Sequence, residues 1–60
     1  MNVGRAKEIV DSSDIIHVSY EGDSVIIQHV DEATKMARIY YRKNPEEEKD
    51  VPVLNLIEES

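Results

Sequence analysis

Residues Ser24 to Tyr41 constrain the fold more than any other stretch. Two runs dense in β-branched and aromatic residues, Ser24–Val30 and Met36–Tyr41, flank a polar break at Asp31–Lys35. That pattern predicts a β-hairpin, because branched and aromatic side chains fit a pleated surface and the polar break supplies the turn. Strict alternation puts Val25, Ile27 and His29 on one face of the first strand and Ile26, Gln28 and Val30 on the other. Alternation on the second strand puts Ala37, Ile39 and Tyr41 opposite Met36, Arg38, Tyr40 and Arg42. The first strand is apolar on both faces, so it is expected at the centre of a sheet. No other segment is apolar enough to start a core, so the rest of the chain must pack against this hairpin.

Upstream, Asn2 is placed to cap a helix in which Val3, Ala6, Ile9 and Val10 share one face. A helix this short is unstable alone and must dock through that stripe. Asp11 to Asp14 ends it. Ile15 to Tyr20 alternates and predicts a strand, with Ile16, Val18 and Tyr20 on one side. Glu21, Gly22 and Asp23 form a tight turn in which Gly22 supplies a positive φ. Downstream, Lys43 to Lys49 contains Pro45 and the run Glu46–Glu48, which predicts a solvated loop. Asp50 to Leu54 predicts a short strand, which Pro52 confines to a sheet edge. Leu54, Leu56 and Ile57 are expected to close the chain as a helical turn.

This order predicts a mainly β fold: a small, partly open SH3-like barrel or antiparallel meander with a short N-terminal helix. The alternative is an α+β sheet with the helix on one face. A single domain spans residues 1–60. The expected core is Val18, Tyr20, Val25, Ile27, Ile39, Tyr41, Val51 and Val53, with Val3, Ala6, Ile9 and Val10 docked on it.

Size and charge narrow the function. Sixty residues support one marginal core, so a homodimer is an expected partner state. By alternation Ile26, Val30 and Met36 would lie outside that core as a self-association face. The chain has no cysteine, which excludes a disulfide framework and thiolate metal ligation. It opens on no long apolar run, so neither a signal peptide nor a membrane span is expected, and a cytoplasmic location follows. The net charge of −6 opposes binding to a phosphate backbone. Five of the seven basic residues nevertheless fall between Lys35 and Lys49.

Four features could carry chemistry. His29 and Asp31 lie two apart, with His17 on a neighbouring strand, as in a divalent-metal site. The donor set has no defined geometry, so hydrogen-bonded histidines and no metal are the better reading. Catalysis is not expected. No strand–turn–helix elbow presents a serine, no Gly-rich loop cradles a phosphate, and the chain is too small for a water-excluding pocket. No cofactor and no small-molecule substrate follow. Lys35, Arg38, Tyr40, Arg42 and Lys43 form a basic–aromatic set that could contact phosphates and stack on bases. Against it stands a solvated outer face neutralised by Glu46, Glu47, Glu48 and Asp50. The Glu46–Glu48 run itself reads as a solubilising segment.

Several short pieces carry a resemblance. They are Arg5–Val10; Val18, Tyr20 and Gly22; Ile27–Glu32; Ala37–Tyr40; Asn44–Glu46; and Val51–Val53. In this order and spacing the sequence resembles the small acid-soluble spore proteins of the H type. The resemblance implies a protein of the developing spore of a Gram-positive spore-forming bacterium, held in the spore core, with a structural or storage role and no enzymatic activity. It implies no site residues, since no motif of the family has an assigned chemical task. The helical motifs of the DNA-saturating α/β-type spore proteins are absent, and DNA binding in the forespore nucleoid is the alternative role.

Overall fold

The computed structural model describes residues 1–59. It contains helix α1 (Val3–Asp11), strands β1 (Val18–Tyr20), β2 (Asp23–Asp31), β3 (Met36–Tyr41) and β4 (Asn44–Pro52), a 3-10 turn (Val53–Asn55) and strand β5 (Leu56–Glu58). All neighbouring strands are antiparallel, in the order β4-β3-β2-β1-β5. The mainly β expectation holds. β4 and β5 remain the two edges, so the sheet is open and not a closed barrel, and α1 packs on its core side.

The hairpin forms as predicted. Asp31 Oδ1 accepts from the Ala33 amide at 2.9 Å, an Asx turn that sets the β2–β3 connection. The β1–β2 link is a two-residue turn in which both Glu21 (φ 50°) and Gly22 (φ 86°) are left-handed. Positive φ at both central positions matches the twist of the flanking strands. Asn2 caps α1: its Oδ1 accepts from the Arg5 amide at 2.7 Å. Beneath the helix, Ala6 is fully buried and Met1, Val3 and Ile9 pack against the core, while Val10 lies at the margin.

Four expectations need correction. The first concerns Val30. The β2–β3 register runs Ile27–Ile39 and then His29–Arg38, so Gln28 is an extra residue in β2. Such a β-bulge resets the alternation. Val30 therefore joins Val25 and Ile27 in the core, only 9% exposed, and pairs with buried Ala37. Ile26 and Met36 stay on the outer face, half-buried. The self-association face expected from Ile26, Val30 and Met36 is not one exposed patch.

The second concerns Lys43–Lys49, which is not a loop. Asn44–Pro52 is one edge strand. Arg42 and Lys43 make the β3–β4 turn, and the register then jumps from Tyr41–Asn44 to Tyr40–Glu48. Pro45, Glu46 and Glu47 sit in this bulge, where the missing proline amide breaks no ladder bond. An edge strand needs pairing on one side only, so low β-propensity did not prevent it.

The third concerns the C-terminus. Val53 belongs to the 3-10 turn, and Leu56–Glu58 form a strand against β1 instead of a helical turn. The Val53 amide donates to the Lys35 carbonyl at 3.0 Å, which pins this turn beneath the β2–β3 hairpin. Leu56 is fully buried while Leu54 is 73% exposed.

The fourth concerns β1, which is shorter than predicted. Ile15 and Ile16 precede the strand, and Tyr41 is half-buried against the core instead of within it. The buried set is completed by Val18, Tyr20, Val25, Ile27, Ile39, Val51 and Val53, as expected, and by Ala37 and Leu56.

Candidate functional site

The basic–aromatic set was read from alternation on β3, and the register decides what it meets. Arg38 and Tyr40 do share the outer face, but β4 lays acids directly beside them: Asp50 opposite Arg38 and Glu48 opposite Tyr40. Arg38 Nη1 reaches Asp50 Oδ1 at 3.3 Å and its Nε reaches Glu48 Oε1 at 3.3 Å. Hydrogen bonds to Asp50 first and Glu48 second hold the guanidinium above its ordinary pKa. A phosphate would have to displace two carboxylates to use this cation.

The remaining cations do not converge there. Lys49 lies opposite Ile39, on the core side of β4. Its Nζ stands 5.5 Å from the Tyr20 ring centroid, a cation–π contact at the rim of the core. Lys35 closes the β2–β3 turn with φ 59°. Lys43 lines a shallow cleft of about 270 Å³ between the β1–β2 and β3–β4 turns, with Asp23 and Glu47 in the same wall. Arg42 lies at a different cleft, beside Ile15 and Ile26. The set predicted from sequence is thus divided among a neutralised outer face, a turn and two clefts.

His29 is exposed on β2, opposite Arg38. It shares an open depression with Asp31, Arg38 and Asp50. His17 is exposed ahead of β1, and its carbonyl accepts from the Glu59 amide at 2.8 Å. The three donors considered for a metal site are not assembled: among the described residues no group of three or more His, Asp or Glu side chains could hold an ion. Among them, too, no helix is long and apolar enough to cross a membrane.

Sequence reasoning missed the contacts that clamp the two chain ends. Arg5 Nε and Nη2 donate to Glu58 Oε1 at 2.8 Å and Oε2 at 2.6 Å, a two-pronged pair joining α1 to β5. Lys7 pairs with Glu32 at the β2–β3 turn. The Met1 ammonium donates to the Leu56 carbonyl at 2.9 Å, and Ser19 Oγ donates to Glu59 Oε1 at 2.6 Å. Only the residue types were visible in the sequence; partners 25 to 55 positions apart require the fold.

The Arg5 pair has a pH signature. The hydrogen bond from Arg5, then its positive charge, outweigh desolvation and hold the Glu58 carboxyl below its ordinary 4.5. A carboxylate depressed in the folded state stabilises that state above the unfolded pKa, and the contribution is lost as pH falls through the folded value. Both side chains are exposed, so solvent screening keeps the effect small. Urea titrations at a series of pH values should show a shallower loss of stability below about pH 4.5 in Glu58→Gln than in the parent chain. Identical acid limbs would mean the pair adds nothing.

Comparison with known proteins accounts for the sequence almost end to end. The Small acid-soluble spore protein H family matches residues 1–58. A small, acid-soluble spore protein H 2 of Bacillus cytotoxicus is 55% identical over 58 residues, 97% of this chain and 98% of the relative. One from Geobacillus kaustophilus is 48% identical over 59 residues, covering 98% of each chain. The small, acid-soluble spore protein H of Bacillus subtilis is 49% identical over 59 residues, 98% of this chain and all of the relative. No solved structure matches. With the match running from α1 through β5, the chain belongs to the small acid-soluble spore protein H family.

Proposed function

We propose that this protein is a non-enzymatic acidic solute and structural filler of the spore core, with its amino acids available as a store. The observation that carries the reading is the family match over residues 1–58. The surface chemistry supports it. Thirteen acidic residues against seven basic ones keep copies apart by charge at high concentration. The clefts are shallow and open, and an open cleft gives a substrate little of the buried, water-excluding contact that a binding site provides. A nucleic-acid module is the weaker reading, because Arg38 is already bound by Glu48 and Asp50 and Lys49 faces Tyr20.

Immunodetection in purified, decoated spores and in vegetative cells of the source organism is the test. Enrichment in the decoated spore is expected, and equal abundance in vegetative cells overturns the reading. Gel shifts at low ionic strength, with duplex and single strands, should show no complex. A complex that dissociates steeply as salt is raised would favour the nucleic-acid module instead.

A further inference from the structure

We propose that the cleft where β1 parts from β2 is the contact surface for a second copy of this chain. The cleft has a cause in the register. β1 pairs with β2 only at Val18–Val25, Ser19–Ser24 and Tyr20–Asp23. Before Val18 the chain is tied to the other side, where the Glu59 amide donates to the His17 carbonyl at 2.8 Å. Ile15 and Ile16 therefore do not continue the ladder along β2. They leave a cleft of about 220 Å³ whose apolar wall includes Val10, Ile15, Ile16 and Ile26.

This wall carries one of the two groups of exposed apolar side chains among the described residues. Ile15 is 79% exposed and Val10 37%, two of the four large apolar side chains left open to solvent. The other two, Leu54 and Ile57, belong to the 3-10 turn and β5 and do not line it. A projecting Ile15 thus stands beside a hollow lined by half-buried Ile16 and Ile26 and by buried Val18, Val25 and Ile27.

Charge selects the occupant. Asp14 and Arg42 both line the cleft, and neither makes an ion pair among the described residues. Arg5, Lys7 and Arg38 all do. One free anion and one free cation on a single patch form a self-complementary set. A two-fold axis places Asp14 of each copy against Arg42 of the other and seats each Ile15 in the opposing hollow, as an isologous interface requires. A uniformly acidic or basic partner would leave one of the two charges opposed by its own sign.

The contact is weak by size. A standard interface takes about 800 Å² from each partner, a large share of a total surface of 4119 Å². The cleft offers less, so the expected dissociation constant is on the order of 0.1 mM. Each copy carries −6, so net repulsion opposes association and added salt strengthens the dimer by screening it. That sign is opposite to phosphate binding.

Sedimentation equilibrium of the full chain, from about 10 µM to about 2 mM protein at low and high salt, reads all of this. The apparent mass should rise from 6.9 kDa toward twice that value, and more so at high salt. A single 6.9 kDa species throughout overturns the proposal. Ile15→Asp should weaken association at least about tenfold with an unchanged circular dichroism spectrum, because Ile15 packs on little in the monomer. An unaffected dimer in Ile15→Asp, or one lost only in Ile57→Asp, overturns it too. Arg42→Asp should weaken the dimer, and Asp14→Arg combined with Arg42→Asp should restore it. The exchange leaves the local turn alone, since it is the Asp14 backbone amide that binds Ser12 Oγ. Failure of the exchange to restore association counts against the Asp14–Arg42 contact and the geometry built on it.

Discussion

Val30→Asp is expected to unfold this protein, while Ile26→Asp leaves it folded. Val30 faces the core, 9% exposed, beside Ala37 at 2% and in one cluster with Ile27 and Ile39. A carboxylate there finds the nearby cations already engaged: Lys7, which lines a cleft with Val30, pairs with Glu32, and Arg38 lies on the opposite face, held by Asp50 and Glu48. An unpaired buried charge costs several kcal/mol, or forces protonation at a similar cost. A domain of this size has about 3–9 kcal/mol in total. Ile26 lies on the outer face opposite Tyr40, half-buried. Its carboxylate can stay in water, and the loss is the cross-strand packing, about 1 kcal/mol. Far-UV circular dichroism with urea unfolding separates the two variants. The reverse outcome would mean that β2 alternates strictly and that Gln28 is not an inserted residue.

Leu56→Ala should lose about 2–5 kcal/mol, a large part of the total of about 3–9 kcal/mol that a domain of this size holds. Leu56 is 0% exposed and pairs with buried Tyr20, so its truncation leaves a hole in the core that the edge of the sheet can only partly close. Ile57, one position on, is 57% exposed on the other face, and Ile57→Ala should cost within about 1 kcal/mol. Urea midpoints report both, and an unchanged slope shows that the native and denatured surfaces are otherwise the same. Equal effects at the two positions would contradict the β5–β1 pairing. They would suit a frayed helical turn, in which neither side chain is firmly buried.

Both variants fall where alternation or propensity misled the reading of the chain. The run around Ile26 to Val30 was recognised as a strand, but its faces depend on whether every residue is paired. One inserted residue, Gln28, turns Val30 inward, and the local sequence carries no glycine or proline to mark it. Pro45 and the glutamates after it argued for a loop, and each argument was sound for a central strand. At an edge, β4 can put Pro45 in a bulge and spend Glu48 and Asp50 on Arg38. The neutralisation of Arg38 was hidden for the same reason: alternation along β3 places Arg38 on the outer face, and the acids that pair with it come from β4.

The order of residue types by itself determined the helix with its Asn2 cap, the central hairpin, a tight turn with positive φ at Gly22, most of the core and the family. These depend on interactions within a few positions: a capping side chain, a turn that needs positive φ, a run of branched residues that must be buried. Tertiary structure alone decided that β5 lies beside β1, how far each register holds, and which charges meet. The ends of the chain are joined by Arg5 to Glu58 and Met1 to Leu56, pairs that no local pattern connects. Pairing is a competition among all segments for the same sheet edges, settled by the total area buried and the backbone bonds satisfied. A bulge such as the one at Gln28 changes that total without leaving a mark in the local sequence.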